Sequence, residues 1–306
     1  KLLYLLGKEG SAFHLIKASW VVASLPEPKT FLKLIDIEDN HESLSSVDIA
    51  FQAKKHLPYE LEDTYLDWQI IKPDDNAKKT QVLVGATPKV VADAYISLLE
   101  SAGLNPIALE TEAVAISRAM ITSLKDYTGQ ARAILDLGAT RSNLIVYDNN
   151  SIQFSTSLSF SGEMITLAIS QALKIEHRQA EELKIKNGLK YDTENPKYVS
   201  AVYGIVENLI KELKTALLFY SEHFNDINTI NGITLCGGAS NLTHIENFIS
   251  KQLKISAVLG HPWKNLNNKK LYEYKPTASA SMASATGLAL RAMENPFQNN
   301  QNYDEY

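Results

Sequence analysis

The stretch ARAILDLGATRSNLIVYDNNSIQFSTSL, residues 131–158, decides the fold class of this chain. Its apolar residues form short runs on either side of a turn that contains Gly138, and a polar DNN turn follows at residues 148–150. Short apolar and β-branched runs bounded by glycine and asparagine turns are typical of consecutive antiparallel strands. The stretch therefore predicts three antiparallel strands in succession, which open a new domain.

The turn between the first two of these strands carries Asp136, Gly138, Ala139 and Thr140. Glycine allows close approach to a phosphate, successive N–H groups form an anion-binding concavity, and a carboxylate can hold a magnesium-bound water. An ordinary hairpin that uses Asp and Gly as turn formers explains the same residues equally well. The turn taken alone leaves both interpretations open.

A second glycine-rich stretch, LCGGASNL at residues 235–242, predicts a buried strand, a tight turn at Gly237 and Gly238, and the start of a helix. Glycine-rich approaches to helix N-termini attract phosphates through free N–H groups and the helix dipole. A strand-to-helix turn that requires glycine is the alternative. The pairing of two such loops in one chain, with helices between them, favours nucleotide binding.

The remaining periodicity predicts mainly helices in this half of the chain. Helices are expected at 162–173, 177–185, 201–223, 242–253 and 277–293, with strands at 232–236 and 255–259.

The sequence pattern of the N-terminal half predicts a small α+β module. Strands at 20–25 and 30–37 are expected to form a hairpin or sheet edge around a Pro-Glu-Pro turn. From about Leu32 to Ala108 the order is strand, helix, strand, strand, helix, strand, and Thr87 is expected to cap the second helix with Pro88 at its first position. Such a module can be an insertion into a larger domain.

Composition excludes several classes of protein. The 306 residues are 45% hydrophobic and 21% charged, which is enough apolar material for two domains. The formal net charge of −5 argues against nucleic-acid binding by counterion release. The single cysteine, Cys236, cannot form an internal disulfide and is expected to be a small buried hydrophobe, and no Cys or His cluster has metal-ligand spacing. Apolar runs are too short to span a bilayer.

Longer stretches carry a resemblance to known proteins. The segment ILDLGATRSNLIVYDNNSIQFSTSLSFSGEMIT resembles the second phosphate loop of the superfamily of actin, the heat-shock chaperone ATPases and the sugar kinases, and ITLCGGASNLTHIENFISKQL resembles its adenosine loop. Within that superfamily the chain resembles the PilM family of type IV pilus assembly proteins, which are similar to the cell-division protein FtsA. Four segments carry this resemblance: WVVASLPEPKTFLKLIDI, FQAKKHLPYELEDTYLDWQII, VLVGATPKVVADAYISLLESAGLNPIALETEAVAISRAM and QAEELKIKNGL.

The resemblance implies an α/β, actin-like (ribonuclease H-like) two-domain nucleotide clamp with an inserted α+β subdomain of the 1C type. No segment like DIGSSSVK, the first phosphate loop of the superfamily, precedes Trp20, so the first domain is expected to be incomplete. The start at Lys1 favours a truncated N-terminus, in which case the fragment should bind nucleotide weakly; a degenerate member without this loop is the alternative. The implied parts are 1–33 and 109–130 in subdomain 1A, 34–108 in 1C, 131–176 and 231–293 (with the closing helix) in 2A, 177–230 in 2B, and a flexible tail at 294–306.

The resemblance also assigns roles to individual residues. It places Asp136 near magnesium, through a bound water, and Gly162 at the floor of the site. It places Glu181 and Lys184 beside the adenosine, although a solvated helix face is the alternative for this pair. The phosphates are assigned to Gly138, Ala139 and Thr140, and the ribose and α-phosphate to Gly237, Gly238 and Ala239.

The implied function is a cytoplasmic scaffold at the inner face of the cytoplasmic membrane. It would bind ATP and Mg²⁺, the N-terminal peptide of a PilN-like membrane protein, other inner-membrane platform proteins and further copies of itself, with at most weak ATPase activity. A structural adaptor without nucleotide and, with less support, a small-molecule kinase of the same superfamily are the alternatives.

Overall fold

The computed structural model describes residues 18–39, 44–71, 79–122, 127, 129–190, 195–266 and 276–293. Its backbone contacts divide these residues into two compact units. Unit 1 contains the described residues up to Ala115 and those from Leu288 onward, and unit 2 runs from Ile116 to Gly287. The predicted tail at 294–306 lies outside the described residues, and the subdomain boundaries stay a prediction.

Unit 1 has the predicted order of strands and helices. Its elements are β1 (Trp20–Leu25), β2 (Phe31–Ile37), α1 (Ser46–Lys54), β3 (Thr64–Ile71), β4 (Thr80–Pro88), α2 (Lys89–Ser101), β5 (Asn105–Thr111) and the start of α3 (Glu112–Met120).

Strands β2, β4 and β3 form an antiparallel sheet in that order, which confirms the predicted β3–β4 hairpin. One face of this sheet packs on α1, because Ile49 and Ala53 of the helix are buried against the strands. Trp68 packs against the same cluster, as its place in an alternating strand predicted.

Of the two predicted alternatives for β1 and β2, a hairpin or a sheet edge, the hairpin is wrong. β1 pairs in parallel with β5, whereas β2 pairs with β4. A 3-10 helix at Glu27–Lys29 connects β1 to β2, and both the N–H and the hydroxyl of Thr30 donate to the Glu27 carbonyl, at 3.0 and 3.1 Å. Proline fixes a negative φ, so this segment does not form the two-residue hairpin turns that need positive φ.

The predicted N-cap of α2 is also wrong. Strand β4 continues through Pro88, and α2 begins at Lys89 without a side-chain cap. The Thr87 hydroxyl donates instead to the carbonyl of Lys29, at 3.1 Å. The end of α2 is as predicted, because Gly103 has a φ of +71° and its N–H donates to the Glu100 carbonyl.

Unit 2 begins with the three antiparallel strands that the sequence predicted. Its elements are β6 (Ala131–Leu137), β7 (Ser142–Asp148), β8 (Ser151–Leu158), α4 (Gly162–Leu173), α5 (His177–Asn187), α6 (Pro196–His223), β9 (Ile230–Cys236), α7 (Ile245–Leu253), β10 (Ala257–Leu259), α8 (Pro276–Ala280) and α9 (Ala283–Met293), the last of which continues into unit 1. The strand order is β10-β9-β6-β7-β8, and β9 and β10 run parallel to β6.

The core of unit 2 lies between one face of this sheet and its helices. Helix α6 contributes a buried stripe that includes Val202, Val206, Leu209 and Leu213, at the spacing that predicted a long core helix. The stripe packs with alternate residues of the strands and with α4 and α7. Within the described residues, no helix is long and apolar enough to cross a membrane.

The single helix predicted at 277–293 is two helices. Helix α8 ends at Ala280, and α9 begins at Ala283. The Ala280 carbonyl accepts a hydrogen bond from the N–H of Gly237, at 2.8 Å, in the second glycine-rich loop. A carbonyl used in this way is turned away from the helix ladder, so the helix breaks where it contacts the loop.

Asp148 is a buried carboxylate at the end of β7. It accepts hydrogen bonds from the Tyr220 hydroxyl at 2.5 Å, from the backbone N–H and the side-chain Nδ2 of Asn228, both at 2.8 Å, and from the N–H of Asn149 at 2.8 Å. Burial, together with the hydrogen bond to Asp148, raises the pKa of Tyr220 above its usual range. This network ties the β7–β8 turn to the end of α6 and the approach to β9.

We expect Asp148→Ala to lower the free energy of unfolding by about 3 kcal/mol, because it leaves the buried hydroxyl of Tyr220 and two partly buried donors of Asn228 without an acceptor. Chemical denaturation followed by circular dichroism measures the change. Glu222→Ala, which removes an exposed carboxylate from α6, is the control and should change stability by less than about 0.5 kcal/mol. Equal stability of the two variants would contradict a structural role for Asp148.

Candidate functional site

The first glycine-rich turn is a tight β6–β7 connection. The N–H of Gly138 donates to the carbonyl of Arg141 at 3.0 Å, and a Cβ atom on Gly138 would lie 2.4 Å from that oxygen. The turn itself therefore requires glycine. Ala139 and Thr140 at its tip are exposed, and within the described part of the chain their N–H groups have no hydrogen-bond acceptor. These two donors are available to an anion.

The start of α4 holds this turn in place. The N–H of Gly162 donates to the Gly138 carbonyl at 3.0 Å, and the N–H of Glu163 donates to the Ala139 carbonyl at 2.9 Å. The Ser161 hydroxyl caps the helix by accepting from the N–H of Met164, at 3.2 Å. These first N–H groups of α4 are thus used by the protein, and they fix the turn with its own tip N–H groups exposed.

Lys184 of α5 connects this corner to the next helix. Its ammonium group donates to the carbonyl of Gly162 at 3.0 Å, to the hydroxyl of Thr166 at 2.8 Å, and to a carboxylate oxygen of Glu181 at 2.7 Å. Only 13% of its side chain is exposed. Lys184 has three N–H donors, and all three have an acceptor on α4 or α5.

Glu181 lies between Lys184 and Thr166, whose hydroxyl donates to it at 2.5 Å. Burial would raise the pKa of this carboxyl, but the hydrogen bonds from Lys184 and Thr166 and the charge of Lys184 together lower it below its usual value. Glu181 and Lys184 therefore form an ion pair in which Lys184 is largely buried, whereas 39% of the Glu181 side chain is exposed. The assignment of this pair to the adenosine stays a prediction. Sequence reasoning missed Thr166; its position four residues after Gly162, on the same helix face, was the only signal.

The second glycine-rich loop lies against Asp136. Gly237 has a φ of +82°, and a Cβ atom there would lie 2.4 Å from Asp136 Oδ1 and 2.3 Å from the carbonyl of Leu137. The thiol of Cys236 lies 3.8 Å from the same carboxylate oxygen, and Cys236 is fully buried, as predicted. Gly237 is thus required by the close approach of two loops.

Gly238 differs from the other glycines of the two loops. A Cβ atom added there would meet no described atom within 4 Å, and no positive φ requires glycine. Its neighbour Ala239 approaches Gly162, where an added Cβ would lie 3.4 Å from the Ala239 Cβ, 3.5 Å from Lys184 Nζ and 3.7 Å from the Gly138 carbonyl oxygen. Both loops and α5 therefore converge at Gly162.

All of the predicted site residues lie in unit 2, and the structure brings most of them to this junction. The geometry suits a nucleotide with Mg²⁺: open space at Gly238 and exposed turn donors suit a phosphate chain, and Asp136 offers oxygen. Among the described residues no group of three or more potential metal ligands exists, so Mg²⁺ would keep several of its waters, as it commonly does. A groove of about 430 Å³ lined by Ile175, Gln179, Glu182, Leu183 and Lys186 includes none of the predicted site residues.

Comparisons with known proteins identify the family and the fold. The family model of type IV pilus assembly protein PilM matches residues 16–293. Among solved structures, the chain is similar to the PilM-PilN type IV pilus biogenesis complex, with 22% identity and a TM-score of 0.77 over 91% of this chain and 81% of that one. It is also similar to MreB5 of Spiroplasma citri bound to ADP, with 14% identity and a TM-score of 0.50 over 70% and 68% of the two chains.

A curated relative is the cell division protein FtsA of Buchnera aphidicola subsp. Baizongia pistaciae (strain Bp), 26% identical over 213 residues. The match covers 61% of this chain and 50% of FtsA, so the chain spans about half the length of this relative. The structural matches confirm the predicted actin-like α/β fold. Because the family model covers nearly the whole of the described sequence, the chain belongs to the PilM family of type IV pilus assembly proteins.

Proposed function

We propose that this protein is an ATP-binding scaffold of type IV pilus assembly that also binds the N-terminal peptide of a PilN-like membrane protein. The observation that carries the nucleotide half is the convergence of two glycine-rich loops and the Glu181–Lys184 pair at Gly162. An ordinary pair of turns would explain Gly138 and Gly237 but not Gly238, whose missing side chain relieves no contact within the protein.

The phosphates would lie over the exposed N–H groups of Ala139 and Thr140, next to the space at Gly238. Asp136, which is 8% exposed, would accept a hydrogen bond from a water of the bound Mg²⁺. Bound Mg²⁺ would neutralise phosphate charge that Asp136 alone would repel. The ribose and α-phosphate would contact Gly237 to Ala239.

Glu181 is suited to the ribose. Its carboxylate is held ionised by Lys184 and Thr166, and an ionised carboxylate accepts hydrogen bonds from hydroxyl groups. All three hydrogen bonds of the Lys184 ammonium go to groups of the protein itself. Its role would therefore be to hold Glu181 and the Gly162 carbonyl in place beside the adenosine.

The partner half of the proposal rests on family membership and on the similar structure, which is described as a PilM-PilN complex. A PilN-like membrane protein would hold this chain at the inner face of the cytoplasmic membrane, where other platform proteins and further copies of the chain would be within reach. Bound ATP would favour one conformation and so alter the affinity for the peptide.

Titration calorimetry with ATP and Mg²⁺ on the purified full-length protein tests nucleotide binding. We expect the wild type to bind and Asp136→Ala to lose at least tenfold in affinity, because the Mg²⁺ water loses its acceptor. We also expect Gly238→Ala to bind more weakly while its stability is unchanged, since the new methyl group occupies only the space assigned to the ligand.

Gly204→Ala is the matched control, because a Cβ at Gly204 of α6 also meets nothing within 4 Å. It should bind ATP like the wild type and be more stable by about 0.5–1 kcal/mol, the usual gain for alanine in a helix interior. Absence of ATP binding by the folded wild type would contradict the nucleotide half of the proposal and leave a structural adaptor.

Peptide binding is tested separately with a fluorescent peptide of the cytoplasmic N-terminus of the PilN-like partner. We expect anisotropy to show binding, and we expect saturating ATP and Mg²⁺ to change its dissociation constant about fivefold or more. Asp136→Ala should bind the peptide but lose the ATP effect. Failure of the wild type to bind the peptide in either condition would contradict the partner half alone.

A further inference from the structure

Asn143 of β7 is a buried amide that the fold does not satisfy. It is 1% exposed, and within the described ranges neither its Oδ1 nor its Nδ2 has a hydrogen-bond partner. A buried polar group without a partner costs about 1–3 kcal/mol, and an unsatisfied group in a native structure commonly indicates a missing water, ion or ligand.

The position of Asn143 in the sheet indicates what this missing partner is. Asn143 lies directly opposite Asp136 in the antiparallel β6–β7 ladder, and Asp136 pairs on its other side with Cys236 of β9. Residues that are directly opposite in a ladder share a face of the sheet, with Cβ atoms about 4.5–5.5 Å apart. The unsatisfied amide is therefore the immediate neighbour of the carboxylate assigned to Mg²⁺.

The adjacent residue, Ser142, offers a comparison within the same strand. It is also fully buried, and its hydroxyl also has no partner among the described residues. Its ladder partners are Leu137 and Leu158, which belong to the apolar core, so Ser142 faces away from Asp136. Two neighbouring unsatisfied groups thus point to opposite faces, and only Asn143 shares a face with the candidate site.

We infer that Asn143 is a further binding residue, whose amide hydrogen-bonds the water shell of the divalent cation that accompanies ATP. A water bound to Mg²⁺ directs its oxygen at the cation and donates hydrogen bonds, so Oδ1 of Asn143 would accept from such a water, whereas Nδ2 would donate to a second water outside the inner shell. Mg²⁺ usually keeps several waters when a protein offers few carboxylates, and the described part of the chain has no group of three or more potential metal ligands. This inference rests on the proposed function. It adds a residue that contacts the hydrated cation rather than the nucleotide.

The test compares ATP binding by calorimetry in Mg²⁺ and in EDTA, using the ratio of the two dissociation constants as the Mg²⁺ dependence. Asn143→Leu keeps the approximate volume and removes both polar groups. We expect it to lower the Mg²⁺ dependence about tenfold, with little change in EDTA, as loss of an outer-shell partner does. Without nucleotide its melting temperature should equal or exceed that of the wild type, because two unsatisfied groups are gone.

Two further variants complete the experiment. Asn143→Asp keeps acceptor oxygens in place and should retain at least the wild-type Mg²⁺ dependence. If the leucine variant does not fold, a loss of Mg²⁺ dependence in this aspartate variant would still overturn the inference. Ser142→Ala, on the opposite face, should leave the Mg²⁺ dependence unchanged.

The outcomes separate this inference from the proposal on which it rests. A wild type that does not bind ATP overturns both. A wild type that binds, with a leucine variant that loses stability and keeps its Mg²⁺ dependence, shows that Asn143 serves a structural water and overturns this inference alone. An equal loss of Mg²⁺ dependence in Asn143→Asp also overturns it.

Discussion

The candidate site depends on the hydrogen bonds of one glycine. The N–H of Gly162 donates to the carbonyl of Gly138, and the carbonyl of Gly162 accepts a hydrogen bond from Lys184. A Cβ added at Gly162 would lie 3.4 Å from the Cβ of Ala239 in the second loop. A Cβ added at this position would be in van der Waals contact with three neighbours at once. Because β6, α4, α5 and the loop after β9 meet here, the geometry of both loops depends on this junction.

The glycines of the two loops differ in what requires them. The fold requires Gly138 and Gly237, whereas only a ligand would require Gly238. Gly138 and Gly237 relieve contacts shorter than 2.5 Å with the protein itself, so their presence says little about function. Gly238 relieves none. Likewise, the ammonium group of Lys184 has its hydrogen-bond acceptors within the protein. The Oδ1 and Nδ2 of Asn143, in contrast, have no hydrogen-bond partner among the described residues. The best indications of a ligand are therefore open space and unsatisfied polar groups that the fold does not explain, rather than the presence of a motif.

The sequence predicted the order and type of nearly all described elements, because period-two and 3.6-residue patterns are local. The prediction failed where a residue distant in sequence determines the structure. Strand β1 pairs with β5, and the Thr87 hydroxyl donates to the Lys29 carbonyl. The N–H of Gly237 donates to the Ala280 carbonyl, which would otherwise continue the hydrogen bonds of α8. The resemblance supplied the candidate site residues, but not the way in which Thr166 links α4 to α5. Such long-range contacts have no local pattern.

We expect Lys184 to fix the first glycine-rich turn before any nucleotide binds. Hydrogen–deuterium exchange on the nucleotide-free protein tests it, with Lys184→Met beside Lys186→Met, which removes an exposed lysine from the same helix. Peptides that cover Gly138–Arg141 and the start of α4 should exchange faster in Lys184→Met only, and exchange in the core of α6 should be unchanged. Equal exchange in the two variants would contradict the claim.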